Sequence, residues 1–269
     1  MSNVFTMGID VGSTASKCVI LKDGKEIVAK SVISVGTGTS GPARAMKEAL
    51  EQVGLSFVSE LQGAVATGYG RNSLAEVPAQ MSELSCHAKG AYFLFPNVHS
   101  IIDIGGQDSK ALKIGDNGML ENFVMNDKCA AGTGRFLDVI AKVLEVNLED
   151  LEKLDEKSTV DVAISSTCTV FAESEVISQL AKGTKIEDIV KGIHTAIASR
   201  VGSLAKRIGI KDDVVMTGGV ALNKGMVRAL ERNLGFKLHT NEYCQLNGAI
   251  GAALFAYQKY QASLRKGEK

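Results

Sequence analysis

The sequence lacks several features that would point to common binding functions. It contains no tryptophan, and aromatic residues make up 5% of its 269 residues, so a base-stacking platform for single-stranded nucleic acid is disfavoured. Its 30 basic and 30 acidic side chains leave no formal net charge, and thus no basic field for nucleic acid or anionic lipid. No uncharged apolar run reaches the roughly 18–20 residues that span a bilayer. We therefore expect neither a nucleic-acid nor a membrane partner.

Proline is also scarce, and cysteine occurs in an odd number. Only three prolines occur, and no Pro/Ser-rich linker divides the chain, so closely packed lobes are expected. The N-terminus shows no basic stretch followed by an apolar run and a cleavage site, which predicts a cytosolic protein. The five cysteines are then expected to remain reduced. A disulfide framework is disfavoured, and each thiol becomes a candidate for metal or redox chemistry.

One internal repeat organises the sequence. Ile9–Gly12, Ser16-Lys17 and Asp23 recur 93 positions later as Ile102–Gly105, Ser109-Lys110 and Asp116. Each copy has the pattern strand, glycine turn, strand, Asp-Gly or Asp-Asn-Gly turn, strand. The predicted strands are Val4–Ile9, Ser16–Leu21 and Glu26–Val32 in the first copy, and Ser100–Ile104, Lys110–Ile114 and Leu120–Met125 in the second. Helical patterns follow both copies. Two duplicated lobes are predicted, over residues 1–98 and 99–269.

Apolar periodicity supplies the remaining predicted elements. The predicted helices are Gly41–Val53, Gly132–Val146, Phe171–Leu180, Ile186–Ile208, Val220–Leu234 and Asn247–Tyr260. The further strands are Val160–Ser165, Asp213–Thr217 and Phe236–Thr240. The charged run Glu149–Lys157 is interpreted as a solvated helix and loop. The predicted fold class is α/β, with the two lobes facing each other across a cleft.

The glycine turn of the first copy has the composition of a phosphate-binding loop. A strand delivers Asp10 to Gly12, and the turn continues through Ser13, Thr14, Ala15, Ser16 and Lys17. Exposed backbone N–H groups, hydroxyls and a lysine are donors suited to phosphate oxygens. A plain hairpin turn with a solvated aspartate is the alternative, and the P-loop pattern is absent.

The second copy repeats this geometry with Asp103, Gly105, Gly106 and Gln107. Two such turns would hold the β- and γ-phosphates of ATP, with Asp10 and Asp103 in the coordination shell of Mg²⁺, directly or through water. Gln107 is positioned in the sequence to orient a water.

A third motif, Val214–Ala221, has an apolar strand that ends in Gly218-Gly219 and leads into a helical pattern. This arrangement suits contact with a nucleoside, although a purely structural turn would have the same sequence. In order and spacing, the three motifs resemble the phosphate-1, phosphate-2 and adenosine motifs of the actin/sugar-kinase/heat-shock-chaperone superfamily. The resemblance covers almost the whole chain and implies that fold and binding of Mg-ATP.

Two cysteines stand in similar polar contexts. Cys129 lies within Asn126–Phe136 and Cys168 within Ser165–Glu175, and each precedes a helical pattern. A thiolate near a helix N-terminus is stabilised by backbone N–H groups. An iron–sulfur cluster usually takes four thiolates, so a two-fold dimer would have to supply the second pair. Two buried structural thiols are the alternative.

The remaining cysteines carry no such signal. Cys18 and Cys244 are predicted to be structural. The adjacent pair Cys86-His87 suits a metal poorly, because neighbouring helix residues point about 100° apart, and a packed or partner-facing helix is expected there.

The strings Asn126–Phe136 and Ser165–Glu175, with Leu84–Ala88 and Gly8–Lys17, resemble the ATP-dependent activators of 2-hydroxyacyl-CoA dehydratases over the whole chain. The resemblance implies a homodimer bridged by one [4Fe–4S] cluster, with Cys129 and Cys168 as its ligands. It also implies that ATP hydrolysis drives an electron from ferredoxin or flavodoxin to the dehydratase. Related ATPase subunits of benzoyl-CoA reductases, a small-molecule kinase of the same fold and a nucleotide-dependent switch protein remain alternatives.

Overall fold

The protein divides into two compact units in a computed structural model that describes residues 3–165, 169–210 and 213–267. The first unit holds the chain up to Asn97, the short segment Gly115–Leu120, and the chain from Leu246 onward; the second holds Val98–Ile114 and Glu121–Gln245. Each unit is built on its own five-stranded sheet. Of the helices in the described ranges, none is long and apolar enough to cross a membrane.

The strands follow the predicted repeat closely. Those of the first unit are β1 (Phe5–Val11), β2 (Ser16–Lys22), β3 (Glu26–Ile33), β4 (Gly63–Thr67) and β5 (Ala79–Gln80). Those of the second are β6 (Ser100–Ile104), β7 (Ser109–Ile114), β8 (Leu120–Asn126), β9 (Val214–Thr217) and β10 (Leu238–His239).

The helices are α1 (Gly41–Gln52), α2 (Glu83–Leu94), α3 (Gly134–Val143), α4 (Leu151–Lys157), α5 (Thr169–Ala181), α6 (Ile186–Lys206), α7 (Lys224–Leu234) and α8 (Asn247–Gly267).

The two sheets share one topology. Their strand orders are β3-β2-β1-β4-β5 and β10-β9-β6-β7-β8. In each, the first strand of the repeat pairs antiparallel with the next strand along the chain and parallel with a later one, β4 or β9. β1 and β6 are therefore central strands, and both are apolar and buried along almost their full length, as expected for strands with both faces covered. The predicted duplication is present in the fold.

The C-terminal helix belongs to the first unit, whereas the sequence placed residues 99–269 together in a second lobe. Gly8 in β1 explains the difference, because a side chain there would overlap the backbone of α8 at Ala249 and Ala253. Gly251 in α8 likewise lies directly against the backbone of Cys86 in α2. The Ala/Gly-rich composition of α8 thus permits its close packing on β1 and α2, a role that helical periodicity does not reveal.

Two further predictions differ from the structure for identifiable reasons. Residues 160–165 form no strand, because the Asp188 carboxylate accepts hydrogen bonds from the Thr159 and Val160 backbone N–H groups, at 2.8 and 3.0 Å. The predicted helix Val220–Leu234 is broken at Asn223, whose side chain accepts a bond from the Met226 N–H at 3.1 Å and caps α7. The short strands β4 and β5 were not predicted at all.

The prediction that Glu149–Lys157 is exposed to solvent is wrong at Asp155. Its side chain is 2% exposed, and its carboxylate lies 3.6 Å from His194 Nδ1 and 3.4 Å from Arg228 Nη2. Arg232 stands 4.0 Å away. These contacts join α4 to α6 and α7. Burial acts to raise the pKa of Asp155, but His194 and the two arginines outweigh it and hold that pKa below its usual value.

Asp155→Asn should therefore lower the free energy of unfolding by about 2 kcal/mol at pH 7. A carboxyl with a lowered native-state pKa stabilises the fold above its unfolded pKa of about 3.9, and this contribution is lost as the pH falls through the native value. The difference between wild type and variant should thus shrink below about pH 4. Urea unfolding across pH 3–7 measures it, with the exposed Glu149→Gln as control. A pH-independent difference would contradict the ion-pair explanation.

Candidate nucleotide and cluster sites

The first candidate loop joins β1 to β2. Asp10 pairs with Lys17 across the two strands, and its Oδ2 lies 3.5 Å from Lys17 Nζ. Between them the chain reverses in a tight turn, in which the Gly12 N–H donates to the Ala15 carbonyl at 3.0 Å. The Lys17 side chain is 18% exposed and that of Asp10 is 7% exposed. The turn thus presents one cation, one largely buried carboxylate, and the hydroxyls of Ser13 and Thr14 on a partly exposed backbone.

The second candidate loop, between β6 and β7, repeats this arrangement. Asp103 pairs with Lys110 in the same register, and the Gly105 N–H donates to the Asp108 carbonyl at 2.9 Å. Here the lysine is enclosed: Lys110 Nζ lies 3.4 Å from Asp103 and 2.6 Å from Asp108, and its side chain is 2% exposed. Gln107 is exposed at the tip of the turn.

The two loops consequently differ in charge. Position 108 corresponds to Ala15 in the repeat, so the first loop holds one carboxylate and one ammonium, whereas the second holds two carboxylates around one ammonium. An excess of carboxylate oxygen suits a hard cation such as Mg²⁺. Because Lys110 is buried between its partners, it serves to hold the carboxylates in place.

Each aspartate also lies beside the end of the strand that runs parallel to its own, and a Thr-Gly dipeptide stands at that end. Thr67 of β4 pairs with Asp10, and Thr217 of β9 pairs with Asp103. The Thr217 hydroxyl donates to Asp103 Oδ1 at 2.7 Å. The following glycines, Gly68 and Gly218, have φ values of +85° and +87°, a conformation that favours glycine.

Only the second of these strand ends lies in a predicted motif. Gly218-Gly219 is the predicted adenosine-contacting pair, and both residues lie at the end of β9. Thr67-Gly68 belongs to no predicted motif, although the shared Thr-Gly dipeptide after a short apolar run is a usable signal. The strand pairings show that these two dipeptides are counterparts.

The cysteines differ in their surroundings. Burial raises the pKa of the Cys18 and Cys244 thiols, and it raises that of Cys86 to about 12. The predicted structural roles of Cys18 and Cys244 agree with this burial, which disfavours the thiolate that metals bind. Cys86 lies on the predicted helix, now α2, in packed surroundings.

Cys129 alone of the described cysteines is only half-buried. It lies in the segment between β8 and α3, where the Asn126 side chain donates to the carbonyls of Cys129 and Ala131 at 2.8 and 3.3 Å. Helix α3 begins at Gly134, later than predicted, with Thr133 as N-cap. Cys168 lies outside the described residues, and α5 begins at the next position, Thr169. Within the described ranges, no group of three or more metal-binding side chains converges.

The start of α3 is bonded directly to the second candidate loop. The Gly134 N–H donates to the Gly105 carbonyl and the Arg135 N–H to the Gly106 carbonyl, each at 2.8 Å. These bonds satisfy two of the N–H groups that the first turn of a helix leaves without intrahelical partners. The loop that holds Asp103 and the segment that holds Cys129 are therefore linked through one helix end.

Lys110→Met should destabilise the protein more than Lys17→Met. Removing the buried Lys110 leaves two carboxylates without their shared cation, which costs about 3 kcal/mol. Lys17 has one partner and is partly exposed, so its loss should cost about 1 kcal/mol. Urea unfolding of the two matched variants measures both values. An equal loss in the two variants would contradict the difference in burial between the two pairs.

The fold is that of the actin-like ATPases and sugar kinases, as predicted. A ROK-family glucokinase from Streptomyces griseus superimposes with a TM-score of 0.57 over 94% of this chain and 99% of its own, at 15% identity. This likeness concerns the fold alone.

Sequence comparison identifies the family. Residues 7–256 match the BadF/BadG/BcrA/BcrD ATPase family, to which the chain belongs. The (R)-2-hydroxyglutaryl-CoA dehydratase activating ATPase of Acidaminococcus fermentans is 63% identical over 258 residues, which cover 96% of this chain and 98% of that protein. The activator of the 2-hydroxyisocaproyl-CoA dehydratase from Clostridium difficile, solved with bound ADPNP, superimposes with a TM-score of 0.95 at 54% identity and covers 98% of each chain. The predicted family is confirmed.

Proposed function

We propose that this protein activates a 2-hydroxyacyl-CoA dehydratase by coupling ATP hydrolysis to the delivery of one electron. The identity of 63% with a dehydratase activating ATPase, spread over 96% of the chain, carries this proposal. The electron would come from ferredoxin or flavodoxin. Delivery of one electron to an acceptor about 200 mV below its donor would cost about 4.6 kcal/mol, and ATP hydrolysis would supply that free energy.

The two candidate loops would bind the phosphates of Mg-ATP. Asp10 and Asp103 would hold the Mg²⁺ shell, directly or through water, because both carboxylates are kept in place by a lysine on the paired strand. The turn Gly12–Lys17 would donate backbone N–H groups and the Lys17 ammonium to phosphate oxygens. Gly105 and Gly106 would permit the same close approach in the second loop. Exposed Gln107 would orient the attacking water, and Gly218 and Gly219 would contact the adenosine.

Asp10→Asn and Asp103→Asn should each lower the rate of ATP hydrolysis by more than about tenfold, because a carboxylate that holds the metal stabilises charge in the transition state. The rate is measured as phosphate release at saturating Mg-ATP. Asp23→Asn is the matched control. Asp23 lies in the same unit as Asp10, at the far end of β2, and its side chain accepts a hydrogen bond from the Val4 N–H. The amide oxygen of asparagine can accept the same bond. If Asp10→Asn and Asp103→Asn both hydrolysed ATP at the wild-type rate, the phosphates would have to bind elsewhere.

Cys129 and Cys168 would hold a [4Fe–4S] cluster together with the same pair from a second protomer. The surroundings of the described cysteines support this choice. Burial disfavours the thiolate form of Cys18, Cys86 and Cys244. Cys129, in contrast, is half-buried on a hydrogen-bonded segment. The half-buried Cys129 therefore fits the chemistry of the group, and four thiolates require a homodimer. When bound, the cluster supplies a one-electron redox centre.

The bonds between the second loop and α3 offer a route from nucleotide to cluster. Any movement of Gly105 or Gly106 on ATP binding acts on the first turn of α3 through two backbone hydrogen bonds. That turn follows the Cys129 segment directly along the chain. A change of nucleotide would thereby alter the environment of the Cys129 thiolate, which is the coupling that an ATP-dependent electron donor needs.

Cys129→Ser should abolish the bound iron, since a single substitution removes two of the four thiolates from the dimer. The measurement is iron content after purification without oxygen, where the wild type should contain about four irons per dimer. Cys18→Ser is the control, because that thiol is buried in the core of the first unit, and its iron content should equal that of the wild type. ATP hydrolysis by Cys129→Ser checks that the variant is folded. Full iron content in Cys129→Ser would contradict the ligand assignment.

The partner is tested by activation. Inactive 2-hydroxyacyl-CoA dehydratase, reduced ferredoxin or flavodoxin and Mg-ATP should yield dehydratase activity only when this protein is added. Activation of a benzoyl-CoA reductase instead would favour the related reductase-type subunit, and phosphorylation of a small hydroxyl compound without iron would favour a kinase.

A further inference from the structure

A loop that none of the predicted motifs includes lies against the first candidate loop. This loop, Gly68–Ser73, follows β4, which runs parallel to β1. The carboxyl ends of parallel neighbours meet at one edge of a sheet, which is where open α/β sheets bind ligands. The Gly70 N–H donates to the Val11 carbonyl at 2.9 Å and thus attaches the Gly68–Ser73 loop directly to the strand that carries Asp10.

Two glycines make this close contact possible. Gly68 has a φ of +85°, and a side chain there would overlap the Asp10 carboxylate and the Val11 backbone. A side chain at Gly70 would likewise overlap the Thr37 and Val11 side chains. The Gly68–Ser73 loop is therefore shaped to lie beside the Asp10 carboxylate, the group proposed to hold Mg²⁺.

Arg71 is the cation of this loop. Its Nη1 donates to the Gly68 carbonyl at 3.1 Å, which holds the half-buried side chain against its own loop. Among the described residues, no carboxylate lies within ion-pair distance of Arg71. Burial is the main reason that the pKa of Cys86 is raised; the carboxylates of Asp10 and Glu83 raise it further, and Arg71 lowers it. Arg71 and these two carboxylates therefore lie in the same electrostatic neighbourhood. One of the five guanidinium N–H donors of Arg71 bonds a neutral carbonyl, so the positive charge of the side chain is available to bind an anion.

Neither candidate loop carries a lysine that is free of a carboxylate partner. Lys17 is already paired with Asp10, and in the second unit Lys110 is enclosed by two carboxylates. The polyphosphate of ATP carries several negative charges and is bound by charge-assisted hydrogen bonds, for which arginine offers planar, paired donors.

We propose that Arg71 binds the phosphate groups of the nucleotide and that Gly68–Ser73 is a third phosphate-contacting loop. This inference rests on the proposed ATP site in the first unit and adds to it a residue outside the three predicted motifs. Arg71 approaches the phosphates from the end of β4, while Lys17 approaches from β2.

The test compares nucleotides that differ in phosphate number. Dissociation constants for adenosine, Mg-ADP and Mg-ATP are measured for wild type, Arg71→Gln, Arg71→Lys and Arg44→Gln. Arg71→Gln should weaken ATP binding about tenfold or more, which is the usual scale for a lost hydrogen bond to a charged group. ADP binding should weaken less, and adenosine binding should not change. Arg71→Lys should recover part of the ATP affinity. Arg44→Gln removes an exposed charge from α1 of the same unit and should have no effect.

A second measurement does not depend on how the variants fold. Wild-type protein is treated with phenylglyoxal, which modifies arginine, and modification of Arg71 is followed by peptide mapping. Mg-ATP and pyrophosphate should protect Arg71, and adenosine should not.

The outcomes separate this inference from the proposed function. Equal ATP affinity in Arg71→Gln and wild type, or modification of Arg71 unaffected by ATP, would overturn the inference while the ATP site stands. An equal loss of adenosine and ATP binding would also overturn it, because the loop would then only support the fold. Failure of the wild type itself to bind ATP would overturn the proposed function, and this inference with it.

Discussion

A cross-strand pair of aspartate and lysine organises both units. In each sheet, the carboxylate stands near the end of the central strand and the ammonium lies opposite it on the antiparallel neighbour. Burying a carboxylate is costly unless a cation accompanies it. The lysine therefore allows Asp10 and Asp103 to remain at the buried end of a strand, where the tight glycine turn begins. The geometry of both turns depends on this pair.

Duplication of this unit did not produce two equal sites. The second copy has Asp108 where the first has Ala15, and this one difference encloses Lys110 and leaves the loop with an excess of carboxylate. The first copy retains a partly exposed Lys17 and adjoins the Gly68–Ser73 loop with Arg71. The loop of the first unit thus carries cations, which suit phosphate, and the loop of the second carries an excess of carboxylate oxygens, which suit Mg²⁺.

Backbone contacts connect these loops to the rest of each unit. In the second unit, the Gly105 and Gly106 carbonyls cap the start of α3, immediately after the Cys129 segment. In the first unit, Gly8 and Gly251 let α8 pack directly on β1 and α2.

The sequence by itself determined the duplication and the two glycine turns, because these depend on local strand and turn patterns that recur within the chain. It indicated the family through motifs such as the Cys129 segment Asn126–Phe136, which resemble those of the dehydratase activators. It did not determine the position of α8, because a glycine in the sequence does not show which distant segment packs against it. Nor did it find the Asp155–His194 pair or the Thr67–Asp10 pairing, because these join residues far apart along the chain. Only the tertiary structure brought Arg71 to the proposed phosphate site, by placing β4 parallel to β1, and strand order is decided by packing between distant segments.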